Sequence, residues 1–289
     1  MMREGALERE AGMILINVLM FVAIASGLVL LMIEREEVAL DRALRTREAA
    51  RALAVVRGGE LSALTALARD AVQSPEADYR TEAWGALAER GTAIEGGRFD
   101  LAVADAQGRF NVNVLRIGEA ADALLFARIG LAAGLDEQQV ALAIALVRER
   151  GPLPDLRPIA AAGLPPEVVT RLQAMVTALP GTTAINLNAV GAELLAVLVD
   201  DPAKAAALIA LRDRQGFLSR DDLTANEVVQ PPGTGFRSDT FWVRTAATIG
   251  GTRQQGATLI QRVQTDAGRQ TLPVARWRNA AIPAEAPRF

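Results

Sequence analysis

From Met13 to Ile33 the chain runs 21 residues without a charge or a proline. As a helix this stretch is roughly 32 Å long, enough to cross a hydrocarbon core of about 30 Å. It is too long for an ordinary core helix, and a cleaved secretory signal fits poorly. Ala23-Ile24-Ala25 has the small-x-small form of a signal cleavage site, but Leu28 to Ile33 stays strongly apolar where a signal should turn polar. The run is therefore read as a membrane span. Residues 1–12 form a short charged leader before it, and Glu34-Arg35-Glu36-Glu37 opens a charged helical stretch after it.

Composition narrows the chemistry. The 289 residues contain no Cys and no His, so no Ser-His-Asp or Cys-His triad, no histidine-based zinc site and no Cys₄ site can be built. The only lysine, Lys204, lies in no phosphate-binding loop, and Gly233-Thr234-Gly235 lacks the third glycine of a dinucleotide fingerprint. The chain is read as not an enzyme. A net charge of −3 disfavours a nucleic-acid partner.

Helical spacing continues beyond the span through Val38, Leu40, Leu44, Leu53 and Val56. Gly58-Gly59 interrupts it and predicts a kink or a break, after which Leu61, Leu64, Leu67 and Val72 resume the spacing up to Ser74-Pro75. The period then becomes two. Phe99–Asp105 and Arg109–Val114 alternate about a turn at Ala106-Gln107-Gly108, which predicts a hairpin. Helical spacing returns from Glu119 to Leu223, with candidate helices 119–132, 136–149, 166–178, 188–199, 202–214 and 219–224. Strands follow at Phe241–Ile249 and Ala257–Val263, with Val274–Trp277 as a last edge, and a loose end from Ile282.

The charged leader, Gly12, the apolar helix and its charged continuation together resemble type IV pilin-like proteins. In that class a peptidase cuts after the glycine, here between Gly12 and Met13, and the new N-terminus is methylated, here Met13. Most members carry Glu at mature position five; here that residue is Asn17. Together with the string Glu95-Gly96-Gly97 and Asp105–Asn113, this resembles the K-type minor pseudopilin of type II secretion systems. The resemblance implies an α+β fold: a long transmembrane helix packed on a small antiparallel sheet, with a large inserted all-helical domain. The domains would be a leader at 1–12, the transmembrane and extended helix at 13–57, a pilin-like unit at 58–118 plus 226–289, and the helical insertion at 119–225. It further implies a structural role at the tip of a periplasmic pseudopilus that helps export folded proteins across the outer membrane. The partners would be the I- and J-type minor pseudopilins, the pseudopilus, the prepilin peptidase and the inner membrane, with Asn17 marking the tip position. Flanking arginines, counted alone, put the large domain in the cytoplasm; the resemblance puts it in the periplasm.

Two further features bear on function. Ile185–Ala189, Leu194, Leu198, Ile209 and Gly216–Leu223 are similar to helix-hairpin-helix modules, which makes a membrane-anchored DNA-binding protein of DNA uptake the alternative. The hairpin, however, is Val199-Asp200-Asp201-Pro202, with no glycine and two carboxylates where a phosphate would approach. No cofactor is evident. Calcium is possible through the loop acids Asp200, Asp201, Asp221, Asp222 and Asp239, but their spacing assigns no site.

Overall fold

A computed structural model describes residues 4–74, 76–266 and 268–289, with side chains from Ile16 onward. One helix, α1 (Glu4–Gln73), runs for 70 residues, about 105 Å. Its side chains divide into two regimes. The large apolar residues from Ile16 to Ile33 are 48–67% exposed, none of them covered by the rest of the chain. From Ala52 the buried positions are Ala52, Val56, Gly59, Ala63, Leu67 and Asp70, spaced three and four apart along one stripe.

α1 does not break at Gly58-Gly59. A Cβ on Gly59 would stand 2.5 Å from the Phe99 ring and 3.0 Å from Thr245. The glycine lets the helix lie close on the sheet, so the helix runs on past residue 57 to Gln73, where Ser74 leaves it.

That sheet is antiparallel, in the order β1 (Glu89–Ile94), β2 (Gly97–Asp105), β7 (Thr240–Ile249), β8 (Thr252–Thr265), β9 (Gly268–Arg278). As the sequence predicts, it is assembled from both sides of the helical block. One face takes the α1 stripe, with Trp84, Leu101, Phe241, Val243 and Ile260 as shared core. The other face holds Trp242, Leu259 and Trp277, closed over by Leu179 and Ala286.

The predicted hairpin about Ala106–Gly108 does not form. β2 pairs back through the tight turn at Glu95-Gly96 onto β1 instead. After Gly108 the chain leaves the sheet: β3 (Phe110–Asn111) pairs in parallel with β4 (Val176–Thr177), and a 3₁₀ turn follows at Val112–Arg116. The alternation is real, but it alternates core residues with asparagines whose side chains bind main chain.

The helical block contains α2 (Ala120–Ala133), α3 (Glu137–Arg150), the short α4 (Arg157–Ala160), α5 (Pro166–Met175), α6 (Ala192–Val199), α7 (Pro202–Gln215) and α8 (Arg220–Ala225). Capping fixes their starts. Asp136 with Gln139, and Ser219 with Asp222, form reciprocal capping boxes. The helix expected over 188–199 begins only at Ala192, because Asn186–Val190 forms a turn. The one expected to reach residue 178 ends at Met175, where the chain enters β4. The block has its own core around Phe126, Ile129, Leu172, Leu195 and Leu208. That core reaches back to Phe110, Val112, Val114 and Leu115, so this strip packs with the helices and not with the sheet.

The end of the chain is not loose. Ala286 is buried on the sheet, Glu285 accepts from Leu156 N–H at 2.9 Å, and Arg244 donates to Pro287 O while lying over the Phe289 ring.

Candidate functional site

The two strings that set this sequence apart, 105–113 and 185–189, meet at the junction between sheet and helical block. Asn186 N–H donates to Gln107 O at 2.8 Å, and the Gln107 side chain donates to Ala184 O and accepts from Asp239 N–H. β5 (Ile185–Asn186) pairs in parallel with β6 (Thr234–Gly235), which ties the second string to the segment entering β7. Gly108 is required by this contact: a Cβ there would fall 2.4 Å from Ala189 O.

Amide side chains then bracket main chain. Asn111 donates to Leu179 O and Gly181 O and accepts from Leu179 N–H. Asn113 pairs with Leu153 through both its donor and its acceptor, at 3.0 and 2.7 Å, and also donates to Leu179 O. Each amide replaces a missing peptide partner in a buried place, where an unpaired main-chain group would be costly. Asn186, fully buried, donates to Asp78 O, the Asp105 carboxylate and Ser238 Oγ.

Beside these amides lies a charged assembly. Arg262 on β8 is 4% exposed. Its guanidinium pairs with Asp70 at the end of α1 and with Asp78 in the following loop, donates to Leu67 O and Ser238 O, and lies over the Phe241 ring. The arrangement fastens the last turn of α1 to the sheet and to the junction. Burial raises the pKa of Asp70, more than the bonds from Arg262 lower it. Asp105 is pushed up to about 6 by burial, opposed by hydrogen bonds from Ser238, Gln107 N–H and Asn186. Burial also raises Glu82, against bonds from Tyr79 N–H and the Trp84 indole. Asp70, Asp78 and Glu82 lie close enough together to share a metal ion, but two of them already hold the Arg262 guanidinium.

The residues singled out from sequence fall elsewhere. Gly12 and Met13 lie in the helical backbone of α1, and their side chains are outside the described residues. Asn17 is exposed on the uncovered half of α1, as is Ile33 at its end. The helix-hairpin-helix geometry is present: α6 closes at Asp200 with φ +59°, and Asp201 opens α7. The Asp201 carboxylate accepts from Ala203 and Lys204 N–H, so the amides that would hold a phosphate already hold an acid. Asp200 pairs with Arg128, Asp222 caps α8 and Asp239 pairs with Arg269. The loop acids considered for calcium are thus spread over separate structural bonds, apart from Asp221, which lies in the first turn of α8. Sequence reading missed Asp78, Ser238 and Arg262, whose side-chain partners lie 24 to 195 residues away.

A family model described as type II secretion system protein K matches residues 185–244, which hold Asn186, Asn188, α6 to α8 and Ser238. Type II secretion system protein K of Pseudomonas aeruginosa is 26% identical, over 90% of both chains. A solved chain of the GspK-GspI-GspJ complex from enterotoxigenic Escherichia coli has the same fold, with a TM-score of 0.62 and 17% identity. The match covers 82% of this chain and 99% of that one. By fold, this chain joins a long N-terminal helix, an antiparallel sheet and an intervening helical block, as that solved chain does. By sequence and fold together it is similar to protein K of the type II secretion system, as the motifs predict. None of these matches supports the DNA-uptake alternative.

Proposed function

We propose that this chain is a minor pseudopilin of a type II secretion system, anchored in the inner membrane by residues 13–33 with its head in the periplasm. The observation that carries this reading is α1 itself. One unbroken helix presents an uncovered apolar half and then a stripe packed under a sheet. Between them, residues 34–47 form an exposed charged neck of about 21 Å that stands the head off the membrane. The role is structural: the polar groups of the junction are engaged in holding two units together. By analogy with the solved complex of its fold, the partners are the I- and J-type minor pseudopilins.

In this reading Gly12–Met13 is the processing site and Met13 the methylated terminus. Asn17 replaces the acid that would neutralise the terminal amine of a preceding subunit. A subunit without that acid sits first, at the tip, and its bulky helical block caps the assembly. An Asn also costs less to hold in hydrocarbon than a charged Glu, at about 2.5–3.5 kcal/mol for charged groups. Copurification with I- and J-type partners from membranes tests the assembly. An Asn17→Glu variant tests the tip: it is expected to appear along the pseudopilus as well as at its end. Strict confinement of that variant to the end would contradict the role given to Asn17.

A further inference from the structure

We propose that the open edge of β2 binds an extended, acidic peptide segment of a partner protein as an added strand. The main-chain bonds at both ends of the β2–β7 pair fix the facing of each residue. Gly250 N–H donates to Gly96 O and Ala106 N–H to Thr240 O, both at 3.0 Å. Even-numbered residues of β2 therefore bond to β7, and odd-numbered ones face the other way. On that side β1 reaches only as far as Glu89, opposite Leu101. The chain before Glu89 curls away in turns. Beyond Leu101, the Val103 N–H and C=O meet no partner among the described residues.

This bare edge is not flush with solvent. Residues 101–105 line a cavity of about 670 Å³ together with Trp84, the loop before β1, Asn188 and Phe289. Asn188 is 7% exposed, and its Oδ1 accepts from Leu218 N–H, which fixes the orientation of the amide. Its Nδ2 is buried without a partner and lacks an acceptor. Main-chain pairing along an exposed edge, with flanking side chains setting preference, is a general mode of peptide capture.

The charge of the walls selects the occupant. Arg80, Arg90 and Arg288 line the cavity and none makes an ion pair among the described residues. Against them stand Asp213 and the enclosed Asp105. A strand with alternate carboxylates complements this wall, whereas one with alternate arginines is repelled by it.

The test is fluorescence anisotropy with the full-length protein in detergent. The probes are a fluorescein-labelled heptapeptide of alternating valine and aspartate and the same peptide with arginine for aspartate. Val103→Pro removes the N–H that faces the open side while leaving the bonds to β7, which Val103 does not make. The pair Arg80→Glu and Arg90→Glu, both at exposed positions, reverses the wall without touching the core. Saturable binding of the acidic peptide alone is expected, weakened about tenfold or more by each variant. Equal binding of the two peptides, no saturable binding, or acidic-peptide affinity unchanged in Val103→Pro overturns the proposal. Should Val103→Pro fail to fold, unchanged affinity in the charge-reversed protein overturns it.

Discussion

Two buried polar assemblies hold the head together, and they work differently. At Arg262 a cation and two carboxylates join α1, the loop after it and the sheet. A short way along the same interior, Asn111 and Asn113 join the departing chain to the helical block with neutral amides alone. A charge in the interior loses its hydration and depends on every partner remaining in place, whereas an amide that copies the peptide group gives main chain a local substitute for a ladder bond. The charged assembly should therefore be the more fragile to truncation and the one sensitive to pH. The amide brackets should be strong but indifferent to pH.

Removing the cation gives the largest expected effect. Arg262→Met leaves Asp70 and Asp78 buried without their counter-charge and should cost about 3–5 kcal/mol of unfolding free energy. Converting both acids to amides in the same chain should restore much of it. A loss under about 1 kcal/mol in urea denaturation would show that water reaches the cluster and that the contrast is weaker than drawn.

Asn113→Ala comes next. It strips Leu153 of both its partners and Leu179 O of one, and about 2–3 kcal/mol should be lost. The loss should be the same at pH 4.5 and pH 7. A pH-dependent loss would mean that the brackets and the charged groups act as one network.

The smallest effect is a slope. The folded pKa of Asp105, raised to about 6, lies above its ordinary value of 3.8. The stability it contributes is complete below the ordinary value and is lost as pH rises through about 6. The raised values of Asp70 and Glu82 act in the same direction. Unfolding midpoints should therefore fall between pH 4.5 and pH 7, and Asp105→Asn should reduce that fall without abolishing it. An unchanged slope would remove Asp105 from the account.

The same contrast explains what could be read from sequence. Local signals carried the fold a long way. The apolar run, the prolines and the capping residues Asp136, Asp201 and Ser219 mark helix boundaries because their chemistry acts within one turn. The period-two stretch at 109–114 misleads because alternation records only that every second side chain is apolar. The asparagines between serve a main chain some 40 to 70 residues away. Gly59 misleads for a related reason: a glycine that lowers helix propensity also permits close packing, and only the position of Phe99 shows which effect governs. The Ala- and Pro-rich end looks loose by composition, yet Ala286 packs on the sheet and Glu285 reaches Leu156. The junction itself was visible only as two strings, since Asp78, Ser238 and Arg262 come together through tertiary structure.

The most direct measurement on the central claim is the intact mass and N-terminal sequence of the protein made together with a prepilin peptidase. The account predicts a chain that begins at methylated Met13, with Asn17 fifth in the mature protein. A chain retaining residues 1–12 under those conditions would contradict it, and a start at Ser26 would remove the membrane span on which the whole reading of α1 rests.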